Sequence, residues 1–310
     1  MRRFLLKITL FSLLPILLFL TAELLIRFSP NAFIAKAEYI QNNKNIEALI
    51  LGSSHTQQAI DPSHFTIKAA NLAYNGQDLS INEDLYHRYK EELPQLKYLI
   101  VEIDYHTLEF RQPEDYFRDP WYFQYHGLKR HPIRPITKYS MYASSPKFFN
   151  NFLLDKLNRD SPVVQLNEWG FETNRFWGEF KDMEYDEKKI DSLMRQLPTR
   201  HAKISLENLN NSKRSLGRII QDCNEKNITL VFIATPMYKT FERHKIEPKE
   251  RHRSLLLDSL MYVYKNLIYL DFEYDERFDV THFRDEDHLN PKGAMKFTRI
   301  LNDTLFRLKQ

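Results

Sequence analysis

The sequence predicts an α/β protein, a parallel sheet with helices on both faces, preceded by an apolar N-terminal helix. Three observations carry this. Apolar runs rich in branched residues recur at 46–52, 98–104, 228–236 and 267–272. The segments between several of them have helical spacing, the signature of strands alternating with helices in a parallel sheet. Finally, Arg2, Arg3 and Lys7 precede an uncharged run from Ile8 to Ala22.

That N-terminal run comes first. A membrane span takes about 20 apolar residues; the "LLI" after Glu23 extends the run, and Lys7 can snorkel. A cleaved signal peptide is the competing reading. Small residues suited to cleavage occur only at Ala35 and Ala37, well past the apolar core, so an uncleaved signal-anchor over 1–30 is expected. Basic residues before the span put its N-terminus in the cytoplasm and the rest of the chain outside. A short polar linker, 31–45, leads to the main domain, 46–308.

Within that domain "IEALILG" and "YLIVEID" read as the first pair of strands, with "AANLAYNG" as a short strand between them. "LSINEDLYHRYKEEL" has helical spacing and stops before Pro94. Later, "LENLNNSKRSLGRIIQDCNEKN" reads as a helix feeding "ITLVFIATP", and "SLLLDSLMYVYKN" feeds "LIYLDF". A last helix starts near Pro291, because a missing N–H is harmless in a first turn. Continuous apolar strands imply a sheet covered on both faces. The stretch 107–205 breaks the alternation and carries all three tryptophans, Trp121, Trp169 and Trp177. It is either a cap contributing to a substrate groove, with Trp121 and Trp177 as its candidate aromatics, or an insertion with its own small core.

Composition narrows the classes. The 44 basic and 41 acidic residues are interspersed and leave a net charge of +3, so nothing points to nucleic acid. Cys223 is the only cysteine, which excludes an intrachain disulfide, a zinc knuckle and a thiol redox pair.

The chemistry gathers in two places. The strand in "ALILGSSHTQQAIDP" halts at Gly52, Ser53 and Ser54. That is a turn, with His55 as a cap or solvent-facing residue, or a nucleophilic serine at the mouth of a sheet, with His55 lining the site. A nucleophile needs a base, and "THFRDEDHLNPKG" supplies one in His288, with Asp285 three residues earlier to fix its tautomer. Asp287 has the wrong offset and is expected to be a solvated or capping acid. His282, Asp285, Asp287 and His288 are of metal-ligand type. A metal reading leaves the serine without a role, so neither metal nor cofactor is expected. Lys239 and Arg243, after the strand "VFIATPM", could bind an anionic substrate, but as basic loop residues they are expected to be solvated.

"LGSSH", "NLAYNG" and "DEDHLNPKGA" resemble the SGNH (GDSL-like) hydrolase superfamily, and within it the membrane-anchored, cell-envelope members. The resemblance covers 45–105 and 206–308 and implies a three-layer, flavodoxin-like fold. It implies Ser54 as nucleophile, Asp285 and His288 as its acid–base pair, and an oxyanion hole made by the backbone N–H groups of Ser54 and Gly76. Ser53 stands where the superfamily usually has aspartate, a substitution similar to that in the D-alanine transfer proteins of teichoic acid modification and in polysaccharide O-acetylation proteins. The usual third donor, an asparagine after the next strand, is replaced by "EIDYHTLEF", with Asp104 and His106; Asn75 and side chains of the insertion are candidates to substitute. The implied function is acyl transfer or ester hydrolysis on a cell-surface glycan or acyl-carrying substrate. A multi-pass membrane O-acyltransferase is the implied partner. The alternative is a glycan-binding or assembly protein that keeps the fold without turnover.

Overall fold

The computed structural model describes residues 1–114, 116–130, 138–158, 164–193, 202–264 and 267–307. They form two compact units, Met1–Asn31 with Glu114–Val163 and Ala32–Pro113 with Val164–Gln310.

The larger unit is built on five parallel strands: β1 (Ala48–Leu51), β2 (Ala69–Asn71), β3 (Tyr98–Glu102), β4 (Thr229–Ala234) and β5 (Ile268–Asp271). Their order in the sheet is β2-β1-β3-β4-β5. In register, Leu49 lies beside Leu99 and Leu99 beside Leu230. Alternate residues face opposite ways. Ala48, Ile50, Tyr98, Ile100, Val231 and Ile233 join a core that includes Phe297, Leu301 and Leu305 of the last helix, Pro291–Arg307. Leu49, Leu51, Leu99, Val101, Leu230 and Phe232 are turned the other way and are equally buried. The helix Leu206–Glu225 packs on β4 and on α4 (Leu79–Tyr89), whose Tyr86 hydroxyl donates to Asp222 at 2.6 Å. The centre of the sheet is therefore covered on both faces, which is why β1, β3 and β4 are mostly apolar.

Because all five strands run the same way, their carboxyl ends share one edge. The order reverses on either side of β1, and the crevice at such a switch point is where open α/β sheets bind ligands. The turns after β1, β3 and β4 all open there.

Residues 31–45 are not a simple polar linker. α2 (Ala32–Asn42) buries Phe33, Ile34, Ala37 and Ile40, whose spacing is itself helical. Buried Lys36 donates from Nζ to the Ala73 carbonyl at 2.8 Å and so ties α2 to the loop after β2. Burial, only partly offset by Glu172 and Asp61, drops its pKa to about 7.

The smaller unit holds α1 (Arg2–Phe28), long and apolar enough to cross a membrane. At 1.5 Å per residue it spans about 40 Å. Below its apolar stretch, Glu23 accepts hydrogen bonds from Met141 N at 2.8 Å, Ser140 Oγ at 2.9 Å and Tyr142 N at 3.0 Å. Three donors from one turn satisfy a carboxylate that apolar surroundings would otherwise penalise. This contact explains why the stretch expected as one insertion, 107–205, divides. Its described residues between 114 and 158 group with α1, and those at 107–113, 164–193 and 202–205 belong to the sheet unit.

Candidate active site

Ser54 is the first residue of α3 (Ser54–Ala59) and the one residue between Leu51 and Pro62 that is not buried. The turn that presents it is held from below by Glu102, at the end of β3. Its carboxylate accepts from Ser53 N at 2.8 Å, Ser53 Oγ at 2.6 Å and Thr56 N at 3.1 Å. A carboxylate at a helix N-terminus satisfies otherwise orphaned N–H groups. Ser53 caps α3, accepting from His55 N at 3.3 Å. A Cβ on Gly52 would lie 2.7 Å from both the Glu102 carboxylate and Thr56, so this close approach requires glycine.

The base comes from the other end of the chain. Residues 283–289 form a tight loop, closed by the Phe283–Leu289 bridge and by Arg284 N donating to the His288 carbonyl at 2.9 Å. Asn290 fastens the loop to the last helix: its Nδ2 donates to the carbonyls of Thr281 and Phe283, and its Oδ1 accepts from Gly293 N at 3.0 Å. Within the loop His288 Nδ1 lies 2.8 Å from Asp285 Oδ1, and His288 Nε2 lies 2.9 Å from Ser54 Oγ. The structure thus brings Ser54, His288 and Asp285 together in the order a nucleophile, its base and the base's orienting acid require.

Asp287 is a correction to the sequence expectation. It is neither solvated nor a cap: its Oδ1 is 3.0 Å from His288 Nδ1 and its Oδ2 is 3.4 Å from His55 Nε2. His55 is buried rather than solvent-facing, with Nδ1 2.6 Å from Asp104 Oδ2. Asp104 accepts from the Thr235 backbone N–H and hydroxyl, both at 2.9 Å.

The electrostatics follow from these contacts. Burial disfavours the His288 imidazolium, but Asp285 and Asp287 outweigh it and push the group up to about 9. Burial likewise opposes charge on His55, and Asp104 and Asp287 raise it well above the ordinary histidine value. Asp104 is pushed up to about 6 by burial and by the charge of Glu102. Asp287, despite burial, is held well below the usual carboxylate range by His288 and His55.

The loop after β2 approaches the same turn. Asn75 N donates to Gln57 Oε1 at 2.7 Å, tying it to α3, and Gly76 adopts φ 76°, the left-handed region. The Ser54 N–H, at the first position of α3, lies outside that helix's own hydrogen-bond ladder.

The two groove candidates separate. Trp121 is buried to 3% exposure in the smaller unit, its ring 5.8 Å from those of Phe148 and Phe152. It is a core residue, not a groove wall; aromatic clusters bury area first. Trp177 belongs to the sheet unit and is half-buried. Its neighbour Gly178 sits against Arg284, and Phe180 N donates to the Arg284 carbonyl at 3.1 Å, beside Asp285. Lys239 is bound by Glu187 and Asp191 at 3.0 and 2.9 Å, and Arg243 by the Asp191 carbonyl.

Two groups place potential ligand atoms within 4.8 Å of one another: His55 with Glu102 and His106, and His55 with Asp287 and His288. His55 is common to both; its Nδ1 is engaged by Asp104, and His288 Nε2 by Ser54. Sequence reasoning missed Glu102 and Thr235. One signal for Glu102 was present: an acid inside a strand buried on both faces must find partners.

The chain was compared with protein-family models and with curated proteins, and it matches none of either.

Proposed function

We propose that the protein is a membrane-anchored serine enzyme of acyl chemistry, an O-acyl esterase or O-acyltransferase acting on a cell-envelope polysaccharide. The observation that carries this is the 2.9 Å contact between Ser54 Oγ and His288 Nε2, with Asp285 on the far side of the imidazole. Ser54 Oγ attacks the acyl carbonyl as its proton passes to neutral His288. The donor's C–O bond then breaks, and the leaving oxygen takes the proton from His288. A water or a sugar hydroxyl next attacks the acyl carbonyl while giving its proton to His288, and the bond to Ser54 Oγ breaks as His288 returns that proton to the serine oxygen. The N–H groups of Ser54 and Gly76 serve the oxyanion in this reading.

The SGNH-like, flavodoxin-like assignment is supported by the strand order and by the motifs lying at the carboxyl edge of the sheet. Display outside the cytoplasm is supported by Arg2, Arg3 and Lys7 ahead of the apolar helix. A surface polymer suits such a tethered site better than a diffusible metabolite.

A fluorophosphonate probe is expected to label the full chain in detergent at Ser54. Ser54→Ala should abolish labelling, and His288→Ala should slow it by about three orders of magnitude or more, since such residues act as a unit. Labelling at Ser53, or a His288→Ala variant with near-normal rate, overturns the assignment. Glycan binding that survives Ser54→Ala, with no acyl-enzyme detectable by intact mass, points instead to the non-catalytic binding protein.

A further inference from the structure

We propose that Asp287, paired with a His55 that Asp104 anchors, is a second acid on His288 and sets the pH range in which Ser54 is activated; this rests on the reading of Ser54 as nucleophile. Asp285 and Asp287 both face His288 Nδ1, at 2.8 and 3.0 Å, although that nitrogen has one proton to give. Orienting the ring needs one carboxylate, so the second changes the charge balance. Both nitrogens of His55 also face carboxylates, Asp104 at 2.6 Å and Asp287 at 3.4 Å. Nδ1 is hydrogen-bonded to Asp104 while Nε2 meets Asp287 through charge alone, without a hydrogen bond, and two flanking carboxylates favour the protonated ring. His55 is therefore held toward its cationic form beside Asp287, packed edge-on against His288 with ring centroids 4.8 Å apart.

The remaining charged groups around the pair do not duplicate this arrangement. Arg284 Nε is 3.4 Å from Asp285 Oδ2, on the orienting acid. His106, whose ring lies 4.6 Å from that of His55, faces Glu102 at 3.7 Å. Glu102 itself serves the Ser53 turn, and Glu286 binds His244 at 2.9 Å. Asp287 is the carboxylate shared between the two histidines, and His55 limits how much of its charge His288 feels. Asp287 and His55 are positioning residues: they act on Ser54 only through His288.

Signs distinguish this from a merely structural role. Removing an anion from His288 should make it easier to deprotonate; removing a nearby cation should make it harder. The direct measurement is the NMR titration of the His288 imidazole in the full chain in detergent. The wild-type midpoint is expected at about 9. In Asp287→Asn it should fall by at least about one unit, and in His55→Gln it should rise. Fluorophosphonate labelling should follow, with Asp287→Asn about fivefold faster at pH 7, since each unit yields tenfold more neutral imidazole, less what the weaker base loses. Coincident midpoints in wild type and Asp287→Asn overturn the inference, as does a His55→Gln midpoint that fails to rise. If one variant does not fold, the other decides. If the midpoints move as stated while wild type is never labelled at any pH, the nucleophile reading fails and the electrostatic coupling stands.

Discussion

Glu102 gives the Ser54 turn its carboxylate from a different strand. In the resembling superfamily that charge usually sits at the position of Ser53. Here Ser53 Oγ donates to Glu102 at 2.6 Å, and the acid arrives from 49 residues away. Glu102→Gln turns one acceptor into a donor facing N–H groups and should destabilise the fold by about 2 kcal/mol. Ser53→Asp alone should be comparably damaging, because two carboxylates then share a buried site. Combined, the two changes restore one acid to the turn, so the double variant should melt above either single variant. Melts of the four proteins in detergent check this, and simple additivity refutes it. The pair of serines and the D-x-x-H spacing were legible in the sequence because each is local. Glu102, Asp104 and Asp287 were not, since their roles depend on which strand ends meet.

At the scale of elements, the segment around Trp177 and the helix bearing Trp121 call for different outcomes from the same substitution. Trp121→Ala removes a ring packed among Phe148, Phe149 and Phe152 and should cost about 3–5 kcal/mol, seen as a lowered melting temperature. Trp177→Ala should leave melting and small-probe labelling nearly unchanged while slowing turnover of the polymer, the pattern of lost remote binding. Equal loss of both activities in Trp177→Ala would make that residue structural. The central strands were legible because burial on both faces leaves them largely apolar. α2 was not, because Lys36, Glu38 and the amides at its end read as a linker, although Phe33, Ala37 and Ile40 mark its buried face. The division of the aromatic stretch between two units was also illegible: it turns on Glu23 meeting Ser140, 117 residues away.

For the whole molecule, the raised histidine couples stability to pH. The folded state binds the His288 proton more tightly than the unfolded chain does. The resulting stabilisation is full below about pH 6.5 and is lost as pH rises through about 9. A shift of that size corresponds to about 3 kcal/mol, or roughly 5–10 °C in melting temperature for a unit of this size. Melts of wild type between pH 6.5 and 9.5 should show this fall, and His288→Ala should make it shallower, leaving the part that the likewise raised His55 contributes; an unchanged fall in that variant would assign the effect elsewhere. The contact between Ser54 and His288 has a consequence in time as well as in space. It joins positions 234 residues apart, so a ribosome delivers the proposed nucleophile long before its proposed base. Closing so long a loop is slow relative to forming local structure. A nascent chain therefore carries an inert serine while the strands around it are still being made, and a product truncated before residue 288 never acquires a reactive one.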